Sequence, residues 1–191
     1  MKKIIQLAVV LAIAAASTGA TAQGKFFTKT GTISFDADGA MKDVEEIKAN
    51  SKTATCVVET STGAMEWAIL MKSFSFKNAL MEEHFNENYV ESSKYPKATF
   101  KGKLDDASGV KWTKDGSYPV AVSGKMTMHG VTKDVTTKGS ITIKKGAPTV
   151  NCDFDLVLAD YKIEIPSVVG KKVADVVKIK VNAGLAPFKK K

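Results

Sequence analysis

The chain has 191 residues, 44% hydrophobic and 25% charged, an ordinary globular composition long enough for one well-buried domain. Its formal charge of +8 rests on lysine alone, because the sequence contains no arginine. Arginine is the residue of bidentate phosphate and guanine recognition, so its absence argues against nucleic-acid readout in spite of the positive charge.

The first residues read as an export signal. Lys2 and Lys3 precede an apolar run over residues 4–16, and Ala20-Thr21-Ala22 supplies small side chains for cleavage before Gln23. Removal of residues 1–22 would leave a single domain of residues 23–191 in the periplasm, with the charge reduced to +6 by the loss of Lys2 and Lys3. The apolar run is shorter than the roughly 20 residues a membrane helix needs, and nothing later approaches that length.

Strand-like segments follow, separated by turn signals: residues 26–35, 53–60, 64–76, 98–104, 118–128, 135–144, 149–159 and 173–183. About eight strands is the number at which a closed antiparallel barrel can enclose one small ligand. Residues 44–49 read as either a short extra strand or a connection. Between the third and fourth segments the period changes. Asn78 is a suitable N-cap for a short amphipathic helix that places Met81, Phe85 and Tyr89 on one face, with Glu82 and Glu83 in the first turn. The mouth of the barrel is the surface available to that apolar face, and the helix is expected there as a plug or as a lid.

The pair of strands around residues 118–144 carries the clearest pattern. Val120, Val122, Gly124, Met126 and Met128 share one face and Val135, Thr137, Gly139, Ile141 and Ile143 share the answering one, while Lys125, Thr127, Lys138 and Thr142 alternate to the other side. The turn His129-Gly130-Val131-Thr132-Lys133-Asp134-Val135 joins them, and a loop of two or four residues keeps both apolar faces together. Small Gly124 and Gly139 on the inward face suggest unfilled interior volume. Cys56 and Cys152 both fall on inward-facing positions, compatible with a disulfide or with two buried free thiols.

Three blocks resemble the YceI family of exported, lipocalin-like isoprenoid-binding proteins. The first runs from Phe74-Ser75-Phe76 through Met81-Glu82-Glu83-His84-Phe85 to Tyr95-Pro96-Lys97-Ala98-Thr99-Phe100-Lys101-Gly102; the second is the His129–Val135 turn, with Asp134 where the family usually has proline; the third includes Leu156, Leu158, Asp160, Tyr161 and Ile163. The resemblance implies an extended lipocalin-like, all-β antiparallel barrel with an apolar tunnel for a polyprenyl chain or an isoprenoid quinone. Its wall would be Trp67, Val120, Val122, Met126, Met128, Ile141, Phe154, Leu156 and Leu158, with Met81 and Phe85 of the helix at the entrance. Burying about ten methylene groups at about 0.8 kcal/mol each gives about 8 kcal/mol, enough for micromolar affinity without polar contacts.

No nucleophile elbow, phosphate-binding glycine loop or suitably placed Cys/His pair is present, and the two histidines, His84 and His129, are too few for the usual zinc site. The expectation is therefore a binding protein with no catalytic residue, metal or cofactor, whose partner is the lipid itself. Lys189-Lys190-Lys191 is a candidate for transient contact with anionic headgroups. The competing reading is a ligand-free envelope stress or protein-interaction module that uses its outer strands.

Overall fold

The computed structural model describes residues 24–41 and 44–188. The export signal and the terminal lysine triplet lie outside those residues. Ten strands form in chain order: β1 (Lys25–Asp38), β2 (Lys48–Glu59), β3 (Ala64–Leu70), β4 (Ser75–Phe76), β5 (Lys97–Leu104), β6 (Gly116–Met128), β7 (Val131–Lys144), β8 (Ala147–Val157), β9 (Val173–Gly184) and β10 (Ala186–Pro187). Eight of them close into an antiparallel ring, β1-β9-β8-β7-β6-β5-β3-β2, because β1 pairs with both β9 and β2. The two-residue strands β4 and β10 attach to its rim through β2 and β1. The barrel and, among the described residues, one short helix agree with the architecture expected from the sequence.

Two tight hairpins set the register of this ring. His129 (φ 50°) and Gly130 (φ 72°) form the whole loop between β6 and β7, and Lys145 (φ 52°) with Gly146 (φ 74°) does the same between β7 and β8. Two successive positive φ values are the signature of the type I′ turn, whose twist matches that of the flanking strands. The β6–β7 loop is thus shorter than the sequence suggested, and residues 131–134 belong to the strand. The difference of four residues is even, so the inward set is unchanged: Val120 faces Gly139, Val122 faces Thr137 and Gly124 faces Val135. Asp134, expected in the turn, instead holds Lys125 across the hairpin at 2.8 Å.

The third strand is also shorter than the pattern implied. β3 stops at Leu70, a 3₁₀ turn occupies Met71–Ser73, and the chain resumes as β4 against β2. Ser73 explains the break, since its hydroxyl donates to the Leu70 carbonyl at 2.6 Å and also meets Ser51 Oγ at 2.8 Å. Residues 44–47 make no strand, and β2 begins at Lys48.

Because consecutive strands alternate in direction, the buried residues collect at the two ends. One cluster joins the start of β1 (Phe26), the end of β2 (Val58), Leu104, Ile141, Ile143 and Leu185, with Val110 and Trp112 of the β5–β6 loop closing over them. Phe26 and Trp112 stack with ring centres 5.9 Å apart. The other cluster gathers Ala49, Ile69, Met71, Phe74, Met128, Leu156, Tyr161 and Ile163, against which Phe85 and Tyr89 of the helical segment pack.

The inward glycines have a different role from the one their size suggested. Gly102 and Gly124 are register partners, and a Cβ on Gly124 would collide with the Lys101 carbonyl, the Gly102 backbone and the Phe100 ring; one on Gly139 would collide with the Asn151 carbonyl. These positions are glycine because backbone and an aromatic ring already occupy the space. Gly146 has open space around it and only its positive φ to satisfy. Gly124→Ala should therefore destabilise the protein by about 2 kcal/mol or more, and Gly146→Ala by only about 1 kcal/mol, in urea denaturation. Equal losses would mean that the β5–β6 approach is not the tight point of the barrel.

Candidate functional site

Between the two end clusters the barrel is hollow. The cavity comprises about 1000 Å³ of atom-free space, its opening to solvent included. Its wall takes Met65, Trp67 and Ile69 from β3, Phe100 from β5, Val122, Met126 and Met128 from β6, Val135 and Thr137 from β7, Val150, Cys152, Phe154 and Leu156 from β8, and Ile33, Ile179 and Val181 from β1 and β9. Many of these side chains are only half-buried although they point inward, because they border empty space rather than neighbours.

Six of the wall residues expected from the sequence line this cavity: Trp67, Val122, Met126, Met128, Phe154 and Leu156. The remaining three wall residues, Val120, Ile141 and Leu158, and the two residues expected at the entrance, Met81 and Phe85, do not line it. Ile141 is fully buried in the cluster at the Trp112 end and Val120 packs against that cluster; Leu158 and Phe85 pack against the opposite cluster. Met81 is half-buried on the helix and is not part of the cavity wall. Alternation identifies an inward face, but it does not say at which height along the barrel the interior is filled and at which it is empty. Met71 and Phe74 line the cavity from a 3₁₀ turn and the residue after it, where no strand period exists to reveal them.

The helix forms as Ala79–His84 and continues as a π-turn over Phe85–Tyr89. Asn78 caps it, its side-chain oxygen accepting from the Leu80 N–H at 2.8 Å. Phe85 then joins Phe35, Phe74 and Phe76 in a group with ring centres 5.2–5.8 Å apart. Of these four rings only Phe74 reaches the cavity, so the helix stands behind it as an outer layer of the same closure.

The wall is chemically uniform. None of its residues carries a charge, and the side-chain polar groups on its inward positions are the Trp67 indole N–H, the Thr137 hydroxyl and the Cys152 thiol, the last two 3.4 Å apart. Thr99 also borders the cavity but alternates outward, opposite Ala68 and Thr127. Cys56 and Cys152 are both free thiols. Burial pushes Cys56 up to about 12 and raises Cys152, which keeps the interior neutral.

Thr137 and Cys152 also mark a fork. The pairing of β7 with β8 runs from Lys144↔Ala147 to Gly139↔Cys152 and no further among the described residues; beyond it β7 keeps β6 as partner and β8 keeps β9. At the far end of the fork the strands are tied again. Lys133 meets Asp160 at 3.5 Å, and His129 Nδ1 donates to the Tyr161 carbonyl at 2.9 Å.

His129 is the centre of a clamp at this end. Its Nε2 faces Glu91 Oε2 at 2.8 Å, its ring edge meets Tyr95 at 4.6 Å between centres, and Lys94 lies over Tyr95 while pairing with Glu91. The β6–β7 turn, the loop after the helix and the β8–β9 connection are thereby joined through one imidazole. The His129 hydrogen bond holds the Glu91 carboxyl below its ordinary value of 4.5, against an opposing effect of desolvation. A carboxylate depressed in the folded state stabilises above its unfolded value, and that contribution fades as pH falls through the folded one. Glu91→Gln should lower the melting temperature at neutral pH and reduce the further fall below about pH 4.5, as read by calorimetry. Parallel pH profiles for the two proteins would show that the pair contributes nothing.

Comparison with known proteins adds to this geometry. Residues 8–185 match the YceI-like domain family. None of the curated proteins matches the chain. Among solved structures, a polyisoprenoid-binding domain from Saccharophagus degradans implicated in plant cell wall breakdown is similar over 87% of this chain and 99% of its own, with a TM-score of 0.74 at 15% identity. Burkholderia cenocepacia BcnA aligns over 82% of this chain and 96% of its own, with a TM-score of 0.66 at 18% identity. The Campylobacter jejuni YCEI protein gives a TM-score of 0.55 at 17% identity over 78% of this chain and 90% of its own. At these identities the likeness is one of fold.

Proposed function

The chain belongs to the YceI-like domain family, and from that footing we propose that it is an exported binding protein that holds an isoprenoid lipid, a polyprenyl chain or an isoprenoid quinone, in its barrel for carriage, storage or sequestration. The carrying observation is the cavity itself: a hollow in an otherwise well-packed domain whose wall is hydrocarbon, thioether and aromatic, with no charged side chain. An ordinary core at this position would be filled, because protein interiors pack to the density of organic crystals. Thioethers and rings such as those of Met126, Met128, Trp67 and Phe154 suit a kinked alkene chain, since they adapt to its contour.

The same reading gives the described residues their division of labour. The wall supplies affinity through buried area, and the helix with its phenylalanine group closes one end. Secretion through the signal of residues 1–22 and a periplasmic site of action fit this role, as does a single domain over residues 23–191. The printed description of the Saccharophagus degradans domain as polyisoprenoid-binding supports the choice of lipid class.

Native mass spectrometry of protein purified from its own host, followed by organic extraction, should release one polyprenyl or quinone species per chain. Protein that folds, comes out empty and refuses added isoprenoids would overturn the reading. Val122→Asp places an unpaired carboxylate in the wall and should lower lipid occupancy at least about tenfold in preparations whose circular dichroism matches the parent.

A further inference from the structure

We propose that the bound molecule enters and leaves sideways, through the seam between β7 and β8, and that Lys133 and Asp160 form the clasp across that seam. This rests on the isoprenoid-binding reading above and adds the route to its site, with both ends of the barrel kept as fixed plugs.

The seam stands out by how little backbone joins it. β7 pairs with β6 from Val131 to Lys144, β8 pairs with β9 from Thr149 to Val157, and β3 pairs with β5 from Ala64 to Leu70. Where the pairing of β2 with β3 stops at Thr55↔Ala68, the Met71–Ser73 turn and β4 take over, with Ser73 Oγ meeting Ser51 Oγ and β4 paired to Ala49 and Asn50. Between β7 and β8 nothing of the kind follows Gly139↔Cys152 among the described residues until the side-chain ties at Asp160 and Tyr161. The lips of this gap are cavity wall: Val135 and Thr137 point inward from one, Phe154 and Leu156 from the other. A chain that parts them breaks no ladder hydrogen bond. Entry by an end would instead displace the Phe26–Trp112 stack and its aliphatic cluster, or the group of four phenylalanine rings.

The two limits of the gap differ in kind. At its vertex the strands are in close contact, since a Cβ on Gly139 would collide with the Asn151 carbonyl, and the split stops there. Across its other limit Lys133 Nζ faces Asp160 Oδ1 at 3.5 Å, and both side chains are about half exposed. An ion pair so placed is screened by water and opens readily. The outer surface changes character beside it. Asn151, Asp153 and Asp155 take the outward positions of β8 until Val157, which is 41% exposed and lies opposite Val176, 43% exposed. With Leu156 on the inner side, β8 is apolar on both faces at this lip, so a hydrocarbon tail crossing it meets apolar surface outside as well as inside.

The test times uptake and release of dansyl-tagged geranylgeraniol by the full chain, read as energy transfer from tryptophan. Lys133→Cys and Asp160→Cys, in a Cys152→Ala background that leaves only the fully buried Cys56, are joined by a reducible bis-maleimide. The closed staple should slow both rates at least about tenfold with the dissociation constant held within about twofold, and reduction should restore them. A second staple, Glu46→Cys to Lys77→Cys, fastens the start of the helical segment to the β1–β2 connection, across a pair that stands 3.6 Å apart, and should leave the rates as they were. Rates untouched by the first staple, or slowed as much by the second, overturn the side route while the isoprenoid-binding reading stands. If the probe does not bind the parent at all, that reading fails and the inference with it. Should the cysteine variants fail to fold, Lys133→Ala decides: it should speed both rates about two- to fivefold, the range an exposed ion pair supplies, and unchanged rates overturn the inference.

Discussion

Everything in this molecule depends on the closure of one hydrogen-bonded ladder. β1 gives its second edge to β2 as well as its first to β9, so the eight strands close into a ring and their inward residues must face one another across a common axis. A flat sheet with the same alternation would need a second layer to cover its dry face. The ring covers itself. It also fixes a diameter, and side chains of ordinary size do not fill that diameter along its whole length.

How the interior is divided follows from what the ends receive. The Trp112 end is filled by long aliphatic side chains and a loop that folds over them, and the helix end by phenylalanine rings and the Met71–Ser73 turn. The middle receives no loop. What faces inward there is half-buried, and the consequence is a sleeve of apolar surface between two plugs. Water gains little from occupying such a space, whereas a hydrocarbon chain gains the contacts that the wall lacks.

The two plugs differ in how they are held. At the Trp112 end the attachment is packing, with Ile141, Ile143 and Leu104 nearly inaccessible. The helix end carries polar ties as well, with His129 linking Glu91, Tyr95 and the Tyr161 carbonyl and with Lys133 facing Asp160 across the fork. Directional bonds near solvent can be broken and remade more readily than a buried aliphatic cluster. The fork between β7 and β8 lies on the same side, so the least-paired stretch of wall and the Thr137–Cys152 contact occupy one region of the structure.

The sequence by itself determined the eight-strand barrel, the helix and the list of inward residues, because those follow from period two and period 3.6, and it placed the β6–β7 turn at His129-Gly130 though not its two-residue length. Lys145-Gly146 carried the same turn information and is read as easily once two positive φ values are required there. Tertiary structure decided the rest. Which inward residues meet a cavity and which meet a plug depends on their height in the barrel: Ile141 and Val122 look alike in the pattern, yet one is sealed in a cluster and the other borders empty space. Gly124 looked like missing volume and is instead the point where two backbones and the Phe100 ring converge. The union of Glu91, His129 and Tyr161 and the approach of Thr137 to Cys152 join residues that are 15 to 38 positions apart. Local periodicity holds no record of such pairs, since strand order and the point at which two strands part are set by packing across the whole ring.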